Sequence, residues 1–271
     1  MTTTTVGLIG AGRMGMPIIG HLVRAGFGVR VNDLTAAKRA AVEAAGATWS
    51  PDAAALARES EFILVCVGYD RELRELLAPG GPLRQAAPGS VVVILSTVLP
   101  QTVQDLASEL NGIDLHLIDA TVCRGGEAAD KGTLLSFVGG EDEVVERVTP
   151  VLRAYSSDVV HTGKAGSAQV AKAVNNMILW ACLVADHEGL ALAQAYGMDT
   201  ERLRKALLMS SCVNGALDKW GTQSMAWAED DMAIVGEMAN AVGLGLPQAG
   251  VVREICRPLK PRRYKLEAYG R

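Results

Sequence analysis

An apolar run, TVGLI (residues 5–9), stops at Gly10, and glycines recur at Gly12 and Gly15 before a helical stretch, MPIIGHLVRAG, begins. That G-x-G-x-x-G spacing between a strand and a helix leaves the chain few folds. Each glycine removes a Cβ where a tight turn, a backbone approach to a diphosphate or close strand–helix packing would otherwise clash. The helix that opens there points unpaired N–H groups at the loop, which suits a bound pyrophosphate. Spacing alone is weak in a chain with 29 glycines; the strand before and the helix after give it meaning. A second run, GVRVN (28–32), leads to Asp33, 18 residues beyond Gly15. A carboxylate there accepts from the adenosine ribose hydroxyls and repels a 2′-phosphate. Leu34 follows rather than an arginine, so NAD is expected over NADP, with Lys38 in position to soften the preference. The alternative for NADP stays open. Gly10, Gly12, Arg13, Met14, Gly15 and Asp33 are the expected nucleotide contacts.

Further β-rich runs appear at FILVCV (62–67), SVVVIL (90–95), DLHLID (114–119), TLLSFV (133–138) and SDVVH (157–161). Helical stretches such as 35–45 and 101–110 fall between several of them. Near-continuous Val/Ile/Leu strands separated by helices predict a parallel sheet covered on both faces. After about residue 163 the strand signal ends. A long helix is expected to Ala195, then three or four shorter ones with turns at YGMD, AVGLGLP and CRPLKP. The fold class is therefore α/β: a Rossmann-type doubly wound sheet over 1–162, followed by an all-α C-terminal domain over 163–271 joined by a long helix.

Composition removes several functions. A net charge of −4 gives no basis for a nucleic-acid partner. No uninterrupted apolar stretch approaches the roughly 20 residues of a membrane span, so no membrane partner is expected. The start, MTTTT, has no basic segment followed by an apolar one. Five cysteines, odd in number and without a C-x-x-C pair, read as reduced thiols of a cytoplasmic protein and suggest no metal site. The basic stretch RPLKPRRYKL reads as a solvated end.

One short segment poses a chemical question. In AKAVNN (171–176), Lys172 and Asn176 stand four residues apart in an otherwise apolar helical stretch, and so share a helix face. Alone, such a lysine is usually solvated or ion-paired.

With the glycine loop and this pair in view, the whole chain resembles the β-hydroxyacid dehydrogenase family, which includes 3-hydroxyisobutyrate dehydrogenase and several semialdehyde reductases. LSTVLP is similar to the family's S-T-x-x-P segment, which implies that Ser96 and Thr97, with Val67 nearby, lie at the nicotinamide end of the cofactor. DATVCRGGEAADKGTL resembles its substrate loop, which implies substrate contacts at Cys123, Arg124 and Gly125. GKAGSAQVAKAVNN resembles its K-x-x-N-N segment, in which the lysine is catalytic and the second asparagine holds substrate. The resemblance thus implies hydride transfer between NAD(P) and a short 3-hydroxy acid or its semialdehyde. Lys172 would exchange the hydroxyl proton and Asn176 would orient the reacting oxygen. Asn214, in SSCVNGAL, falls in a substrate-side segment.

The chain also departs from the pattern. Thr121, Cys123 and Arg124 replace a proline, a serine and a glycine of the substrate loop, and Asp230 stands where the family usually has a lysine. Arg124 is read either as a substitute carboxylate anchor or as a structural partner of Asp230. Two other functions compete: an imine reductase, whose members generally lack a lysine at position 172, and a catalytically silent dinucleotide-binding oligomerisation module. The long apolar helix needs more cover than its own domain supplies, so a homodimer or homotetramer is expected.

Overall fold

The computed structural model describes residues 4–222 and 225–259; the basic stretch from Lys260 to Lys265 and the first three residues lie outside them. The chain divides into two compact units, Met1–Lys172 and Ala173–Arg271.

The first unit is built on an eight-stranded sheet. Its strands are β1 (Thr5–Ile9), β2 (Gly28–Asn32), β3 (Thr48–Trp49), β4 (Phe62–Val65), β5 (Ser90–Ile94), β6 (Leu115–Cys123), β7 (Leu134–Gly139) and β8 (Ser156–Gly163), in the order β3-β2-β1-β4-β5-β6-β7-β8. The first six positions follow the doubly wound order, with the reversal at β1 and β4 where such sheets bind dinucleotides. The two-residue β3 was not expected from the sequence, because TW is too short to carry a pattern. The expectation of a parallel sheet needs correcting at one place: β7 runs antiparallel to β6. The connection 124–133 is shorter than the dozen or so residues a parallel crossover requires. After α7 (Asp142–Arg153), β8 returns parallel to β7.

Both faces of the sheet are buried. Along β5, Val91 and Val93 join one core with Val6 and Leu8, packing on Ile18, Ile19 and Leu22 of α1 (Gly15–Arg24) and on Val148 of α7. Val92 and Ile94 point to the other face and join Ile63 and Val65 against Leu56, Leu73, Val103 and Leu106. Alternation along a strand that is buried throughout and apolar from Val91 to Ile94 is why its sequence reads as one continuous run. Each such fully buried side chain contributes about 1.5–3 kcal/mol.

A 29-residue helix, α8 (Ser167–Ala195), starts in the first unit and continues into the second. By length and mean hydropathy alone it is long and apolar enough to cross a membrane, as the core helix of a globular protein also is. Its Ala173, Trp180, Leu183 and Val184 belong to the second unit's core, with Met225, Met232, Val235, Val252 and Cys256. That unit also contains α9 (Thr200–Leu207), α10 (Gly215–Asp218), α11 (Ala228–Ala241) and α12 (Pro247–Leu259). α12 runs through the CRPL segment expected to turn. A proline near a helix end loses a single backbone bond at most, because the following residues no longer continue the ladder.

Candidate active site

The glycine loop has the shape the sequence implied. Gly10 has φ 101°, and a Cβ on it would sit 2.1 Å from the Cys66 carbonyl oxygen. A Cβ on Gly15 would lie 2.1 Å from the Gly10 carbonyl oxygen. A Cβ on Gly12 would meet nothing within 4 Å, so this glycine faces open space. Two glycines are thus demanded by the protein itself, and the third leaves backbone bare where a diphosphate would approach α1. The residues present fit a dinucleotide. Met14 precedes α1 and packs against the sheet core.

Asp33 follows β2, and its side chain is only 8% exposed. It accepts from the Ala11 N–H at 2.8 Å, from the Thr35 N–H at 2.8 Å and from Lys38 Nζ at 2.7 Å. Burial works to raise its pKa, but these donors outweigh it and hold the carboxyl below the ordinary range. Asp33 therefore stays ionised and braces the loop. Arg13 projects from the loop with 61% of its side chain exposed, and donates to both oxygens of Asp130 at 2.7 and 2.6 Å.

At the ends of β4 and β5, Ser96 is buried and its hydroxyl accepts the Val67 N–H at 2.9 Å. That hydroxyl joins the two strand ends, while Thr97 beside it is half-buried. Gln169, in the first turn of α8, grips the same segment: its amide donates to the Ser96 carbonyl at 2.9 Å and accepts from the Val98 N–H at 3.0 Å.

Asp119 on β6 is fully buried. Its oxygens accept the Gly166 N–H at 2.8 Å and the Gln169 N–H at 2.9 Å, at the start of α8. Desolvation pushes its pKa up to about 6, against the opposing pull of the backbone donors. Gly139 on β7 must be glycine, because a Cβ there would lie 2.5 Å from Asp119 Oδ1. Thr121 donates to the Ala168 carbonyl at 3.0 Å, a bond the family's proline has no donor to make. These contacts fix the turn of α8 from which Lys172 extends. Lys172 Nζ donates to the Val122 carbonyl at 2.7 Å, next to Cys123 at the carboxyl end of β6. Cys123 is buried at 3% exposure.

Arg124 is the only non-glycine with positive φ among the described residues, at 84°, and Gly125 follows at 76°. The family's glycine at this position has an evident reason. A side chain in the left-handed region costs about 1–2 kcal/mol. The guanidinium folds away to donate to Asp158 at 2.7 Å, Ser157 Oγ at 2.8 Å and the Thr133 carbonyl at 3.2 Å. Its ion-pair partner is Asp158 of β8, a residue the sequence did not suggest.

In the second unit, Asn176 is buried and accepts from the Asn175 amide at 3.0 Å. Asn214 caps α10, accepting the Ala216 and Leu217 N–H groups at 2.9 Å, and its amide donates to Asp186 at 3.0 Å. Burial raises the Asp186 pKa. Asp230 is exposed on the first turn of α11, where a negative charge complements the helix dipole. Its neighbour Asp231 accepts from Trp180 Nε1 at 2.9 Å.

Sequence reasoning missed Asp119, Thr121 and Gln169 as parts of the site's frame, and missed Asp130 and His21. Asp119, Thr121, Asp130 and Gln169 fall inside the quoted motifs, but their partners lie far away along the chain, so their framing roles have no local signal.

Comparison with known proteins agrees with this geometry. Residues 5–163 match the model of the NAD-binding domain of 6-phosphogluconate dehydrogenase. Residues 166–265 match that of the NAD-binding domain of NADP-dependent 3-hydroxyisobutyrate dehydrogenase. The chain is 31% identical over 250 residues to the NAD-dependent L-serine dehydrogenase of Pseudomonas aeruginosa, covering 90% of this chain and 84% of that one. It is 31% identical over 262 residues to the 2-(hydroxymethyl)glutarate dehydrogenase of Eubacterium barkeri, covering 92% and 87%. In fold it is similar to the Mycobacterium tuberculosis 3-hydroxyisobutyrate dehydrogenase solved with L-serine: TM-score 0.88, 23% identity, 97% of this chain and 95% of that one. The chain belongs to the β-hydroxyacid dehydrogenase family, NAD(P)-binding oxidoreductases that act on small hydroxy acids.

Proposed function

We propose that the protein interconverts a short 3-hydroxy acid and its semialdehyde, with Lys172 as the general acid/base and NAD as the preferred cofactor. The observation that carries this reading is the placement of Lys172. Its Nζ donates to the Val122 carbonyl, beside the substrate loop, on a helix anchored through Asp119 and Gln169, and its neutral amine form is the base in oxidation. The nicotinamide supplies the hydride acceptor when bound. Lys172 takes the hydroxyl proton in oxidation and returns it in reduction, a role that typically contributes about 10²–10⁴-fold in rate. Asn176, one helical turn further on, orients the reacting oxygen. Cys123 and Gly125 shape the substrate side, and Arg124 contributes by holding their loop rather than by touching substrate.

Two relatives are named for acids, serine and 2-(hydroxymethyl)glutarate, that carry a hydroxymethyl group on the carbon bearing the carboxyl group. That shared element is the substrate class proposed here. Asp33 favours NAD through repulsion of a 2′-phosphate, and Lys38 reduces the preference by neutralising part of its charge. Val170, Val174 and Ile178, spaced four residues apart on α8, are exposed and support a homodimer or homotetramer that covers them. The test is a panel of hydroxymethyl-bearing acids with NAD or NADP, and of their semialdehydes with the reduced cofactors. NAD-preferring turnover of at least one pair is expected. NADH binding without turnover of any pair would refute the reading.

A further inference from the structure

Arg13 does more than line the glycine loop. Its guanidinium lies against the start of α6 (Gly125–Lys131), the helix that follows Cys123 and Arg124. A Cβ on Gly126 would come within 2.6 Å of Arg13 Nη2, 2.8 Å of Cζ and 3.0 Å of Nε, so the planar group occupies the space this glycine leaves. At the far end of α6, His21 of α1 fills the equivalent space over Gly132, its ring atoms 2.6–3.1 Å from where a Cβ would be. Arg24 Nη2 donates to His21 Nδ1 at 2.8 Å, which leaves the ring's proton on Nε2. Nε2 then donates to the Ala129 and Asp130 carbonyls at 3.0 and 3.2 Å. α6 is therefore bolted near its C-terminal end, at 129–130, by Arg13 of the loop and His21 of α1, with the Arg13 guanidinium also packed over Gly126. One bolt, the Arg13–Asp130 pair, sits inside the phosphate loop and is largely exposed, at 61% and 55%.

We propose that Arg13 is a shared cation, bridging the dinucleotide's pyrophosphate and Asp130, so that cofactor binding sets the position of the loop 123–132. A guanidinium offers five N–H donors, and the pair with Asp130 uses two of them. The remaining donors stay available to an anion on Gly12, whose open face is the loop's approach side. Exposed ion pairs are weak enough to be redistributed by a bound anion. Asp130 is thus a positioning residue, acting on the substrate loop through Arg13. The inference rests on the dinucleotide-dependent dehydrogenase reading above.

The test is amide hydrogen exchange of the full chain with and without NADH, in wild type, Asp130→Ala and Asp130→Glu, with KM measured alongside. In the wild type, NADH is expected to slow exchange at 10–16 and at 124–132. In Asp130→Ala the first protection stays and the second falls to the unliganded level. KM for the hydroxy acid rises about tenfold while kcat stays within about threefold, and Asp130→Glu restores most of both effects. Protection at 10–16 together with equal protection at 124–132 in Asp130→Ala and wild type overturns the coupling alone. Absence of protection at 10–16 in the wild type overturns the dinucleotide reading, and the coupling with it.

Discussion

Replacing Asp119 by alanine separates two opposing effects that the structure places on one carboxyl group. The side chain is fully buried and accepts the N–H groups of Gly166 and Gln169 at 2.8 and 2.9 Å. Removing it leaves those donors unpaired, at about 1–3 kcal/mol each. It also removes a buried acid whose pKa burial has pushed up to about 6, from about 3.9 in an unfolded chain. The sign follows from proton uptake. Between those two values the folded state binds the proton and the unfolded state does not. Asp119's contribution is therefore full below about pH 4 and is lost as the pH rises through 6. Linkage with these values gives a loss on the order of 1 kcal/mol between pH 5 and pH 7. Urea unfolding of wild type and Asp119→Ala at both pH values provides the assay. The stability gap should be wider at pH 5 by roughly 1 kcal/mol, since other titrating groups cancel in the comparison. A gap that is constant, or wider at pH 7, would refute the reasoning, because it would mean the backbone donors stabilise the ionised form more than burial penalises it.

Other perturbations test separate parts of the account. Arg124→Ala keeps the left-handed strain and loses the exposed bonds to Asp158 and Ser157, so its Tm should fall below that of Arg124→Gly. Arg124→Gly relieves the strain and should lie within about 1 kcal/mol of wild type. Thermal melts of the pair decide this, and KM for the acid should change less than threefold or so in Arg124→Gly if the guanidinium is turned away from substrate. Lys38→Ala leaves the Asp33 carboxylate uncompensated and should raise the NAD-over-NADP ratio of kcat/KM by about 3–10-fold; an unchanged ratio would detach Asp33 from cofactor choice. Gly12→Ala should weaken NADH binding with little effect on Tm, because the added methyl meets only open space within the protein. Gly15→Ala should lower Tm markedly, its methyl falling 2.1 Å from the Gly10 carbonyl oxygen.

Much of this architecture was legible because its determinants are local. Continuous apolar strands, a glycine loop at a strand–helix junction and a helix without breaks from 167 to 195 each carry their signal within a few turns of chain. The β3 strand was not legible, since two residues cannot display a period. The reversed β7 was encoded in the shortness of the 124–133 connection, a signal of length rather than of pattern. The chemistry divided in the same way. Lys172 and Asn176 stood out by spacing and by resemblance, whereas Asp119, Gln169 and Asp130 act on residues brought near only by the sheet. Arg124 shows the limit most clearly: the sequence announced a cation in the substrate loop, but neither its left-handed backbone nor its ion pair with Asp158 on β8 carries a local signal.

Lys172, as proposed, carries the proton. The most direct measurement is single-turnover NADH formation by Lys172→Ala, with NADH affinity determined on the same preparation. The account predicts a fall of about 10²–10⁴-fold in the chemical rate, with NADH affinity within about threefold of wild type. A variant that binds NADH normally and turns over within about tenfold of wild type would contradict it, and would assign proton transfer to another group.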